Sequence, residues 1–207
     1  MKPEDVTGVI LAGGASSRME GVNKALAAVG GRPIAARVAE ALSEACGEVF
    51  VAANDVAAFL FLDLAVFSDP VPAACSLSGL HTALFYAKTP HVFVAPCDVP
   101  FLRPELIRSL IAETRETDDV VVPENALGLE PLCAVYSRRC LPAVTERLRA
   151  GRFKLSGFFG GVKVKKVPVA RLVDADPGLV SFMNVNTPED LDRANELAAA
   201  TAGKESP

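Results

Sequence analysis

Two short segments of the chain gather residue types suited to phosphate chemistry. The first is Leu11-Ala-Gly-Gly-Ala-Ser-Ser-Arg-Met-Glu-Gly-Val-Asn-Lys24. Gly13 and Gly14 carry no Cβ, so a polyphosphate can approach the backbone closely and meet inward-aimed N–H groups. Ser16 and Ser17 add small donors, and Arg18 and Lys24 add positive charge, one as a planar fork and one as a point charge. The second is Pro96-Cys97-Asp98-Val99-Pro100, where a carboxylate sits between two stiffening prolines. Asp98 is a hard oxygen ligand of the kind Mg2+ takes together with substrate phosphates. The same residue also reads as a cap for the helix expected from Pro104, although five residues separate them. Taken together, a cationic glycine-rich loop and a metal-ready Asp suit phosphoryl-type transfer, which needs positioning and charge neutralisation more than covalent work. The two histidines, His81 and His91, fall in a helical pattern and at a strand start, so both read as structural and no nucleophilic triad emerges.

These segments must be carried by regular elements, and the hydrophobic pattern supplies them. Val6 to Leu11 is a compact apolar run ending at the glycines, which predicts a buried strand feeding a loop. Pro33 opens a helix with Ile34, Val38, Ala41, Leu42 and Ala45 on one face. Further strands are expected at Glu48 to Ala53, Leu64 to Phe67, His91 to Ala95, Val120 to Val122 and Pro131 to Tyr136. Helices are expected at Leu77 to Ala87, from Pro104, and at Arg138 to Ala150. Val162 to Val167 alternates apolar residues with Lys, as a half-exposed strand near a sheet edge does. Phe182 to Val185 reads as a last strand before Thr187-Pro-Glu-Asp190, which has the register of a capping box. The final helix packs through Leu191, Ala194, Leu197 and Ala198, and the tail after residue 200 reads as frayed. Alternating strands and helices predict one α/β domain over residues 1–200, a three-layer αβα arrangement with a Rossmann-like, mostly parallel sheet.

Composition narrows the classes. A net charge of −4 leaves no electrostatic footprint for nucleic acid or an anionic membrane. No apolar run reaches the roughly 20 residues of a membrane span. The N-terminus lacks the apolar core of a signal peptide. Five cysteines (Cys46, Cys75, Cys97, Cys133 and Cys140), odd in number and without a Cys-x-x-Cys pair, argue against a disulfide framework and a structural zinc site. A soluble protein of a reducing cytoplasm is expected. Neither the Rossmann Gly-x-Gly-x-x-Gly nor the Walker Gly-x-x-x-x-Gly-Lys-Ser/Thr pattern occurs in the first loop.

Leu11-Ala-Gly-Gly-x-x-x-Arg-Met with Lys24, then Pro96-Cys-Asp-x-Pro100, then Asn184-x-Asn-Thr-Pro-Glu-Asp190 together resemble the molybdenum cofactor guanylyltransferases of the nucleotidyltransferase superfamily. The resemblance spans about Thr7 to Leu197, with the motifs in the family's order. It implies a nucleotidyltransferase-type fold and transfer of GMP from GTP to molybdopterin or its molybdenum form, releasing pyrophosphate, with Mg2+ as cofactor. It also implies that Leu11, Ala12, Gly13 and Gly14 line the nucleotide, that Lys24 holds the triphosphate and that Arg18 assists. Asn54 and Asp69 would recognise guanosine, Asp69 by accepting from the N1–H and N2–H2 edge of the base. Gly79 would admit a close ligand contact, Asp98 would bind Mg2+, and Asn184 and Asn186 would face the pterin substrate. Proteins that deliver or accept the cofactor would be transient partners.

Two positions depart from the family pattern. Glu20 stands where the family has Gly, adding negative charge, and Cys75-Ser-Leu-Ser-Gly79 replaces Gly-Pro-Leu-x-Gly. Asn54-Asp55 and Asp69-Pro70 are also ordinary turn signals. Three other readings stay open at this point: a cytidylyltransferase on the same cofactor, a transferase to another small phosphate, and a nucleotide-binding module without catalysis. The cytidylyltransferase relatives read Leu-Ala-Ala-Gly, so Gly13 favours guanine.

Overall fold

The computed structural model describes residues 1–13, 18–19, 22–71 and 73–202, with only the backbone of Arg18, Met19, Val22, Asn23, Lys24 and Ala202. The main sheet is built from β1 (Val6–Leu11), β2 (Glu48–Ala52), β3 (Ala65–Phe67), β4 (His91–Pro96), β5 (Val120–Asn125), β6 (Gly128–Leu129), β7 (Ala134–Ser137) and β8 (Val164–Pro168). Its order is β6-β5-β7-β4-β1-β2-β3, with β8 paired to β5. β4, β1, β2 and β3 lie side by side and parallel, β8 is parallel to β5, and β6 and β7 run against their neighbours. The sheet is therefore mixed but mostly parallel, as the alternating pattern predicts.

Continuous apolar runs form the central strands because both faces of the sheet are covered. Successive side chains of a strand point to opposite faces. On β1, Val6 and Ile10 enter one core cluster while Val9 and Leu11 enter the other; on β4, Phe93 and Ala95 part from Val92 and Val94 in the same way. The first cluster takes in α1 (Ile34–Ala45) and α3 (Pro104–Glu113), the second α2 (Ser76–Tyr86) and α4 (Leu141–Arg149). The five inward residues expected of α1 are all buried. No helix among the described residues is long and apolar enough to cross a membrane.

Several boundaries move for local reasons. Arg138–Cys140 forms a 3-10 turn before α4, and Pro131 to Cys133 precede β7 rather than joining it. Phe182 to Val185 is not a strand. A 3-10 turn spans Val180–Phe182 and the next residues are irregular, because the Val185 N–H donates to the Asp98 carbonyl at 2.9 Å instead of joining a ladder. α5 (Pro188–Ala202) runs two residues beyond the expected limit at 200, and residues 203–207 lie outside the described residues. Its start is the expected capping box: Thr187 Oγ1 accepts from the Asp190 N–H at 3.1 Å while Asp190 Oδ2 accepts from the Thr187 N–H at 3.0 Å. Hydrogen bonds from the Asn186 and Thr187 N–H groups hold the Asp190 carboxyl below its ordinary range.

β8 explains its own alternation. It occupies a sheet edge, and each lysine of the pattern meets a carboxylate: Lys163 with Asp118 at 3.4 Å, Lys165 with Glu113 at 2.7 Å and Lys166 with Glu124 at 2.8 Å. Charged residues at an edge also discourage pairing with another chain. The hydrogen bond from Lys165 holds the Glu113 carboxyl below its ordinary value of 4.5. A depressed folded-state pKa stabilises fully above the unfolded value and is lost as pH falls through the folded one. Stability should therefore decline below about pH 4.5, the ordinary value. Glu113→Gln should lower the urea midpoint at pH 7 while narrowing the gap to wild type at pH 3.

Candidate active site

The carboxyl ends of parallel strands are where open α/β sheets present their loops to ligands. Here four such ends are tied together by backbone hydrogen bonds. The Leu11 carbonyl accepts from the Cys97 N–H at 3.2 Å, the Ala12 N–H donates to the Ala52 carbonyl at 2.9 Å, and the Ala53 N–H donates to the Phe67 carbonyl at 3.0 Å. The segments beginning at Ala12, Ala53, Ser68 and Cys97 consequently leave the sheet side by side. Leu11, Ala12, Gly13, Asn54, Asp69 and Asp98, separated widely in sequence, all lie on this rim.

Asp69 is the most constrained side chain there. Its backbone N–H donates to Asn54 Oδ1 at 3.0 Å, and Asn54 Nδ2 donates to its Oδ2 at 3.4 Å. Ser78 Oγ donates to Oδ2 at 2.7 Å and Thr82 Oγ1 to Oδ1 at 2.5 Å. Asn54 and Asp69 are thus a reciprocal pair rather than two independent turns. A Cβ built on Gly13 would stand 4.0 Å from Asp69 Oδ2, an ordinary contact. The fold itself would accept alanine at Gly13; what glycine keeps is open space beside the carboxylate. Gly79 is buried in α2 against β1, where a Cβ would lie 3.4 Å from Leu11 Cδ2, an ordinary packing distance.

Asp98 is half-buried just past β4, with Oδ1 shielded from solvent. Its loop is braced by the segment before α5. Val185, fully buried, bonds the Asp98 carbonyl, while Asn184 and Asn186 on either side are exposed. They share a side of the chain as expected, though on a loop rather than a strand. A small cavity of about 80 Å3, bounded by Pro96, Val99, Cys133, Phe182 and Asn184, separates this segment from the Asp98 loop. A cleft of about 730 Å3 continues past Phe182 and Met183 to Arg193 of α5.

Sequence patterns missed the cluster that fixes this bracing. Asp176 is completely buried and accepts from the Ser181 N–H at 3.0 Å. Ser181 Oγ accepts from the Arg103 N–H at 3.0 Å and donates to the Phe101 carbonyl at 3.3 Å. Arg103 Nε lies 3.7 Å from Asp176 Oδ1, an ion pair too long for a hydrogen bond. The only hint in sequence is an acidic residue in a turn, Asp176-Pro-Gly178, with no visible partner.

Of the basic residues expected to hold phosphate, Arg18 begins a two-residue strand, Arg18–Met19, paired with Val22–Asn23, and Lys24 opens the 3-10 turn Lys24–Leu26. Their side chains lie outside the described residues, as do Gly14, Ser16, Ser17, Glu20 and Gly21. Burial lowers the pKa of both His81 and His91, leaving them neutral at pH 7, and His81 Nε2 lies 3.1 Å from Thr145 Oγ1. Burial pushes the Cys46 and Cys140 thiols up to about 12, which excludes them as thiolate nucleophiles.

Among the described residues no group of three or more His, Cys, Asp or Glu side chains is arranged to cage a metal ion. A single carboxylate such as Asp98 suits Mg2+, which completes its shell with water and substrate phosphates.

A family model described as the MobA-like NTP transferase domain matches residues 8–160. A molybdenum cofactor guanylyltransferase of Desulfosudis oleivorans is 39% identical over 199 residues, covering 96% of this chain and 98% of that protein. A probable molybdenum cofactor guanylyltransferase of Pelotomaculum thermopropionicum is 42% identical, covering 93% of each. The crystal structure of molybdopterin-guanine dinucleotide biosynthesis protein A from Archaeoglobus fulgidus superposes with a TM-score of 0.83 at 26% identity, covering 94% of this chain and 99% of that one.

Asp176→Ala should leave the buried Ser181 N–H without its acceptor and lower stability by about 1–3 kcal/mol. Asp176→Asn, which keeps an acceptor oxygen, should lose less. Urea denaturation of the two variants beside the wild type measures the difference.

Proposed function

The chain belongs to the MobA-like NTP transferase family, and on that premise we propose that it transfers GMP from GTP to molybdopterin or its molybdenum form, releasing pyrophosphate. It is a nucleotidyltransferase. The observation that carries the reading is the convergence of Asp69 and Asp98 on one rim of the sheet, one beside the Gly13 position and the other next to the asparagine segment. The first suits a base with two adjacent N–H donors; the second suits the metal-bound phosphates of the same nucleotide.

In this reading Leu11, Ala12, Gly13 and Gly14 form the floor under guanosine, and Asn54 and Asp69 recognise the base. Lys24 and Arg18 neutralise the triphosphate. Asp98 would hold a Mg2+ ion, which would supply neutralisation of negative charge on the phosphates. Asn184 and Asn186 orient the acceptor, whose terminal phosphate oxygen attacks the α-phosphorus. One P–O bond forms there as the bond to the bridging oxygen of pyrophosphate breaks. No covalent enzyme intermediate is required, consistent with the neutral histidines and the protonated thiols. The acceptor's remaining length follows the small cavity toward Phe182. Proteins that hand over or receive the cofactor would meet the chain at this open rim.

With molybdopterin and Mg2+, pyrophosphate should be released from GTP in preference to CTP, ATP and UTP. Release from CTP but not GTP would refute the guanylyl assignment. Asp98→Asn should reduce turnover by about a hundredfold or more, in line with loss of a group that positions a catalytic metal. Undiminished turnover would remove Asp98 from the metal site.

A further inference from the structure

Ser78 and Thr82 belong to neither of the loops thought to meet the nucleotide, yet both are almost wholly buried, at 1% and 0% exposure, and both point at Asp69. They stand four residues apart and so share one face of α2. That helix is buried from Leu77 to Leu84, a setting in which a hydroxyl needs a partner. Each already has one in the helix backbone. Thr82 Oγ1 lies 3.0 Å from the Ser78 carbonyl, and Ser78 Oγ lies 2.8 Å from the Cys75 carbonyl and also meets that of Ala73. A hydroxyl has a single proton, so each must choose between a backbone carbonyl and the carboxylate. A hydrogen bond to a charged acceptor is the stronger choice.

We infer that Thr82, with Ser78 as its helical companion, is a positioning residue that sets the base preference of the site by fixing the orientation of the Asp69 carboxylate. The inference rests on the reading of Asp69 as the group that accepts from guanine. A carboxylate on a surface turn rotates freely; Asp69 is instead tied at Oδ1 by Thr82 and at Oδ2 by Ser78 and Asn54. A carboxylate has about four acceptor positions, so three internal donors leave room for an incoming one. Ser78 supplies the second place. When a base donor reaches Oδ2, the Ser78 proton turns to the Cys75 or Ala73 carbonyl, and the buried hydroxyl stays satisfied. Thr82 remains as the anchor that keeps both oxygens in the plane of the guanine edge.

The test compares GTP with ITP, which keeps N1–H and lacks the 2-amino group, so their ratio reports how well both donors are met. Thr82→Val keeps the shape and removes the hydroxyl. It should raise the Kd for GTP, measured without acceptor, about tenfold. It should also shrink the GTP-over-ITP ratio of kcat/KM by a similar factor, raising KM for GTP more than it lowers kcat. Thr82→Ser should restore both, and thermal melting of the two variants separates any loss of fold from loss of selectivity. A GTP-over-ITP ratio in folded Thr82→Val equal to that of wild type would overturn the inference. Asp69→Asn distinguishes the two levels of failure. If it leaves the ratio unchanged, the base-reading role of Asp69 falls, and with it this inference. If it collapses the ratio while Thr82→Val does not, the role of Thr82 alone is wrong.

Discussion

The parallel registration of β1 with β2 on one side and β4 on the other is the constraint on which the site depends. The pairing of Leu11 with Ala52 and with Pro96 brings three chain segments to the same height at the sheet's rim. A slip of one residue would turn every side chain of β1 to the opposite face, exchanging the two core clusters. The glycine loop, the Asn54–Asp69 pair and the Asp98 loop are therefore positioned by the hydrophobic core, long before any of them meets a ligand.

Around that rim the two carboxylates are supported differently. Asp69 is gripped through its own oxygens by side-chain donors, which suits a group that must present a hydrogen-bonding pattern. Asp98 is supported through its backbone carbonyl, from Val185, and through the neighbouring Phe101 and Arg103, held by Ser181 and Asp176. Sheet geometry brings the two together, one gripped at its carboxylate and the other braced through its loop.

Much of this was legible in the chain. β1, β4 and the inward face of α1 declare themselves because periodicity and burial coincide there, and the Thr187–Asp190 box is entirely local. The loop motifs are legible for the same reason: each is a run of adjacent residues. What escaped depends on partners far along the chain. Asn184 to Asn186 alternates like a strand, but its central N–H is taken by Asp98. Ser78 and Thr82 look like small residues in an apolar helix until Asp69 is seen across from them. Gly79 belongs to a local motif, and only the fold shows Leu11 of β1 as its neighbour. Asp176 shows no partner until the fold returns it to Arg103 and Ser181.

The bond between Val185 and Asp98 has a temporal consequence. The Asp98 loop is translated well before Val185, which braces it; likewise the Gly30 N–H, just after the glycine loop, is received by Asn195, 165 residues later. Closing such long spans is slow and comes after local structure has formed. On the ribosome, a growing chain can lay down β1, β2 and β4 with their helices while the Asp98 loop still lacks its support. A chain stalled before residue 185 would have most of the scaffold without the brace on the Asp98 loop.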